Sequence, residues 1–70
     1  MALTKTEKLL IDSLQLFGMR RGNIILIMFL LDNDEKRWDM ILFLKEILKN
    51  EKEISEEQIV NLAYQMHNHN

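Results

Sequence analysis

Seventy residues with a formal charge of −2, 47% hydrophobic content and no cysteine make one small domain and exclude disulfides, thiolate metal sites and thiol redox chemistry. Nine basic against eleven acidic side chains leave no electrostatic footprint for nucleic acid or an anionic membrane. At this length a single core supplies only about 3–5 kcal/mol of stability, so dense apolar packing and association with another chain are the remedies left.

The absence of proline and the presence of only two glycines, Gly18 and Gly22, point to helices joined by short turns. The first helix is predicted over about residues 4–17. Its start is a capping box, Thr4-Lys5-Thr6-Glu7, in which the hydroxyl and the carboxylate each satisfy a free backbone N–H. Leu10, Ile11, Leu14 and Phe17 follow the spacing of a core stripe, widened by Leu9 and Leu16. Gly18 is expected to close the helix in a left-handed conformation.

Residues 18–23 form the clearest break, and Asn23 is the expected cap of a second helix over about 23–31. This helix holds the run Ile24-Ile25-Leu26-Ile27-Met28-Phe29-Leu30-Leu31, fenced by Arg20-Arg21 and Asp32-Asn33-Asp34. A segment hydrophobic all round is expected to be buried on every side, with another chain supplying part of the cover. A strand reading fails because no second strand candidate exists to pair with it. The run of eight residues is also far short of the ~20 that span a bilayer.

Asp34 is expected to cap a third helix over about 34–49, whose apolar residues cover an arc of roughly 260°. After the polar loop Asn50-Glu51-Lys52-Glu53, Ser55 and Gln58 form a second capping box, and Ile54 can staple to Ile59. The fourth helix then runs over about 55–67 with Ile59, Leu62, Ala63 and Met66 as its stripe, and His67-Asn68-His69-Asn70 reads as a frayed tail. The predicted fold is all-α: a small four-helix bundle of three core helices plus a C-terminal amphipathic helix, dimeric through its surplus apolar surface.

No catalytic constellation is present in this pattern. The only histidines, His67 and His69, lie in the last four residues, and Ser13 and Ser55 have no base to activate them. Glu51, Glu53, Glu56 and Glu57 read as a solvated loop and a first helical turn that complements the helix dipole. Two histidines without a third ligand make no zinc site, so no metal and no cofactor is expected. The five methionines suit core gap-filling. The eight N-terminal residues carry no signal-peptide apolar region, which predicts a cytoplasmic protein.

Three surface features remain. Arg20 and Arg21 sit at a helix entry, where a phosphate or a partner's carboxylate could bind, or where they solubilise a turn. Trp38, Leu42, Lys45 and Lys49 share one stripe of the third helix, readable either as a partner surface or as the edge of the core. Met40, Phe43 and Ile47, taken as that helix's outer residues, are the expected centre of a homodimer interface, with Met28 from the second helix.

The segment Ile11–Leu44 loosely resembles a ubiquitin-associated domain, with Phe17-Gly18-Met19 standing where that family has its Met-Gly-Phe/Tyr loop. The resemblance implies a three-helix module and a ubiquitin-like ligand. Residues 40–49 followed by 55–67 resemble a helix-turn-helix, which implies a DNA-reading role for the fourth helix. Duplex affinity is nonetheless expected to be weak at physiological salt, because a chain of net charge −2 with one basic pair neutralises few phosphates. The expected function is a non-enzymatic protein-interaction or adaptor module that self-associates through an apolar face. A helix-turn-helix DNA-binding regulator is the alternative, and a ligand pocket between helices ranks third.

Overall fold

The computed structural model describes residues 2–69, and among these there are four α-helices and no strand. Helix α1 spans Lys5–Leu16, α2 Arg21–Leu30, α3 Asp34–Lys49 and α4 Glu56–Asn68. Both predicted capping boxes form. The Glu7 N–H donates to Thr4 Oγ1 at 3.1 Å while the Thr4 N–H donates to Glu7 Oε1 at 2.9 Å. Gln58 N–H and Ser55 Oγ, with Ser55 N–H and Gln58 Oε1, repeat the exchange at 3.1 and 2.8 Å.

The ends that follow α1 and α3 share one geometry. Gly18, at φ +70°, donates to Gln15 O at 2.9 Å while Met19 N–H reaches back to Leu14 O at 3.4 Å. Glu51, at φ +53°, donates to Leu48 O at 3.2 Å while Lys52 N–H reaches Ile47 O at 3.0 Å. Each is a Schellman closure, which satisfies carbonyls that a helix end would otherwise leave free.

Two helix starts differ from expectation. Helix α2 begins at Arg21 rather than Asn23, and its cap position, Arg20, makes no side-chain capping bond. Helix α3 is capped by Asn33, whose Oδ1 accepts the Lys36 N–H at 2.9 Å. Asp34 instead falls in the first turn and pairs with Arg37 at 2.9 Å.

The helices pack α1 on α3, α2 on α4, α1 on α2 and α3 on α4. Helices α1 and α3 run the same way, since Lys5, Thr6 and Leu9 share a groove with Asp34, Glu35 and Trp38. Helix α4 runs against α3, placing Met66 and His69 beside Asn33 and Lys36. The common core is Leu10, Leu14, Ile27, Leu31, Met40, Ile41, Leu44 and Ile59, all essentially without solvent contact, joined by Met19, Ile24, Leu30 and Ala63. Each such side chain contributes about 1.5–3 kcal/mol by leaving water. The radius of gyration, 11.2 Å, is that of a compact chain of this length.

Burial sharpens one expectation and corrects another. The run 24–31 is not covered on every side within the chain: Ile24, Ile27, Leu30 and Leu31 are buried, whereas Ile25 is 62% and Phe29 76% exposed. A ten-residue helix packed on α1 and α4 has neighbours on one side only, so one face goes unmatched whatever its composition. Met40 is not an outer residue either. It is completely buried because it shares the inward side of α3 with Ile41 and Leu44, while Phe43 lies at the margin of exposure and Ile47 and Met28 are half-buried.

Candidate interaction surfaces

Helix α2 starts with an arginine at its cap position and lacks a first-turn acid, so its N-terminal N–H groups need a partner from elsewhere. The partner is Glu56, the first residue of α4. Its carboxylate accepts the Arg20 N–H at 2.8 Å and also the Asn23 side-chain amide. Those two bonds, Asn23's first and Arg20's second, hold the Glu56 carboxyl below its ordinary value of 4.5. The bond to the Arg20 N–H repeats one half of a capping box, with the acid drawn from another helix, 33 residues from Asn23 in sequence.

The other end of α2 is also held by α4. His67 Nδ1 lies 2.9 Å from Leu30 O, and because a carbonyl only accepts, the imidazole carries its proton on Nδ1. His67 therefore belongs to the last turn of an ordered helix rather than to a frayed tail. Glu56 at one end and His67 at the other make α2 and α4 run in the same direction. They seat α2 with Ile27 and Leu31 inward and Ile25 and Phe29 outward.

The Arg20 and Arg21 side chains are exposed. The helix entry they mark already holds one anion, the carboxylate of Glu56, on the Arg20 backbone. Among the described residues the ion pairs are Lys36 with Asp32 at 3.6 Å and Arg37 with Asp34, so none of them involves the Arg21 guanidinium.

A second surface lies along α3 and α1. Trp38 and Leu42 are 43% and 48% exposed, and Lys45 Nζ stands 6.0 Å from the centre of the Trp38 ring, within range of a weak cation–π attraction. Leu9 of α1 lines the same open groove as Trp38. Leu16, seven residues further along the same side of α1, is 75% exposed. Lys49 follows Lys45 along the stripe and is exposed in the last turn of α3. The structure thus brings Trp38, Leu42, Lys45 and Lys49 together as one face and adds two leucines from α1.

The predicted interface of Met28, Met40, Phe43 and Ile47 does not come together in the same way. Met40 is in the core, and Met28 stands on α2, which has no substantial packing against α3. Sequence reasoning missed Ile25, Phe29, Leu9, Leu16, Asn23, Glu56 and His67 as surface or positioning residues. For Ile25 and Phe29 a signal existed: they are spaced by four and share a face with Arg21 and Gly22, the only non-apolar members of the helix besides Asn23. For Glu56 and His67 none did, since their partners are remote in sequence.

No group of three or more His, Cys, Asp or Glu residues that could hold a metal ion is found among the described residues. None of their helices is long and apolar enough to cross a membrane. The chain matches no protein-family model, no curated protein and no solved structure.

Proposed function

We propose that this chain is a non-enzymatic helical protein-interaction module that self-associates through an apolar face and carries a second face for another protein. One observation carries the reading. Ten large hydrophobic side chains in a chain of seventy are at least a third exposed, and Phe29 at 76% stands one helical turn from Ile25 at 62%, a contiguous apolar surface rather than a scattered one. The outer face of α2 supplies the first surface.

The Trp38 stripe supplies the second. It joins an aromatic anchor to flanking leucines and a lysine rim, the composition of an interface centre with a polar edge. A DNA-reading role for α4 gains less support, because its leading turn presents Glu57 to solvent and commits Glu56 to α2.

Light scattering after gel filtration tests the self-association. A mass of two chains at micromolar concentration is expected, and a folded monomer throughout the micromolar range would overturn the reading.

A further inference from the structure

We infer that the module dimerises by packing the outer face of α2 against the same face of a second copy, antiparallel across a two-fold axis between Ile25 and Phe29, with Arg21 of each chain meeting the partner's Asp32. The inference rests on the self-association reading and assigns it a surface, a partner and a register.

Two observations converge on α2. Its outer face carries Ile25 and Phe29, the latter the most exposed large hydrophobic residue of the chain, four apart and so one above the other. Gly22 lies three residues before Ile25 and seven before Phe29, on that same face. Gly22 is the second residue of α2, and nothing within the chain requires a glycine there. Its φ is not positive, and a Cβ built on it meets no atom within 4 Å. Across the two-fold axis Gly22 faces the partner's chain just past the end of its α2, and the missing side chain lets that backbone come close beside the contact of Arg21 with the partner's Asp32.

Charge then selects the orientation. Arg21 stands at the positive end of the α2 dipole, where a cation opposes helix stability, and its guanidinium pairs with no acid among the described residues. Asp32 follows the opposite end of the helix, with its side chain 61% exposed even while it touches Lys36. An antiparallel pair brings these opposite charges together at both ends of a helix about 15 Å long. A parallel pair would set Arg21 against Arg21. The same register places Ile25 against the partner's Phe29, and the two-fold operation makes every such contact twice.

The chain exposes 5198 Å², about 600 Å² more than a monomer of its mass typically shows, and the outer face of α2, with the most exposed large hydrophobic residue, holds part of that excess. From behind, Glu56 and His67 hold α2 at its two ends, so the face is presented already ordered, with little further ordering needed on association.

Sedimentation equilibrium on the full chain and on designed variants decides the matter. Phe29→Glu should give a folded monomer, since the residue is exposed in the protomer. Gly22→Leu should keep the helicity seen by circular dichroism yet weaken the dimer about tenfold, because the added side chain overpacks the end of the interface where Arg21 and the partner's Asp32 meet. Arg21→Glu alone should weaken association, and Arg21→Glu with Asp32→Lys should restore it. A wild-type monomer would overturn the self-association reading and this inference together. A dimer that persists in both Phe29→Glu and Gly22→Leu would overturn the α2 interface and leave self-association standing. A dimer broken by those two changes but indifferent to Arg21→Glu would overturn the antiparallel register.

Discussion

Helices α2 and α3 are both built largely from big apolar side chains, yet their ends are made in different ways. Helix α3 is locally complete: Asn33 caps it, Asp34 and Glu35 occupy its first turn and Lys49 its last, each matching the dipole. Helix α2 has neither a side-chain cap nor a first-turn acid nor a last-turn base. Its missing end groups come from α4, as Glu56 on Arg20 and Asn23 and as His67 on Leu30. A short helix completed this way forms only when its neighbour is in place, since isolated helices of this length are marginal in water. The same neighbour fixes which side of α2 faces out, so the tertiary contact that stabilises the helix also presents its apolar face.

The strongest way to break the contrast between the two faces of α2 is to truncate one residue on each. Ile27 is fully buried and Ile25 is 62% exposed, although they stand two residues apart in an unbroken apolar run. Ile27→Ala should cost about 2–5 kcal/mol, enough to unfold most of a domain whose total stability is about 3–5 kcal/mol. Ile25→Ala should change the stability of the protomer by about 0.5 kcal/mol or less. Urea denaturation at low protein concentration, where association does not contribute, measures both. Equal losses at the two positions would mean that the outer face is covered in the isolated chain.

A smaller effect separates the two helix starts. In the folded chain the Asn23 amide, and then the Arg20 N–H, keep the Glu56 carboxyl below its ordinary 4.5. Folding therefore favours the carboxylate, and the stabilisation is fully present above pH 4.5 and lost as the pH falls toward the lower folded value. Glu7 behaves alike, held down by the Thr4 N–H first and the Thr4 hydroxyl next. Glu56→Gln should lower the melting temperature at neutral pH and flatten its decline on acidification. Hydrogen exchange should show the loss concentrated in the α2 amides, with those of α3 unchanged. A uniform loss over all four helices would show that α2 does not depend on this tether.

How much could be read from residues alone follows the same division. The capping boxes at Thr4 and Ser55 and the left-handed turn at Gly18 were legible because every atom involved lies within a few residues. The Trp38–Leu42–Lys45–Lys49 stripe was legible because helical spacing alone assembles it. The start of α2 was misplaced to Asn23 because its capping acid belongs to another helix. The need of the 24–31 run for cover from outside was legible, but not that Ile25 and Phe29 are the residues left open, because hydrophobicity measures the benefit of being covered, while packing decides where cover is available. Met40 failed for the converse reason: on a helix apolar over most of its circumference, composition does not mark the inward side, and only the positions of α1 and α4 do.

The smallest expected effect concerns the one local fault of α3, the turn that ends it. Gly18 and Glu51 occupy equivalent left-handed positions in equivalent closures, but glycine bears that backbone without a steric penalty and glutamate does not. The Glu51 N–H and the next one both make their bonds to α3 carbonyls, so the conformation is held by the closure despite the side chain. Glu51→Gly should therefore stabilise the chain by about 0.5–1 kcal/mol, the relief of strain outweighing the greater freedom of the unfolded glycine. Gly18→Ala should destabilise by a similar ~1 kcal/mol, although its Cβ would meet no neighbouring atom, because the penalty lies in the backbone angle and not in the space around it. Thermal unfolding at low concentration resolves shifts of this size in so small a domain, about 4–8 °C per kcal/mol. Opposite signs at the two sites are the expected result. A destabilising Glu51→Gly would mean that the Glu51 side chain contributes more to that turn than the strain it imposes.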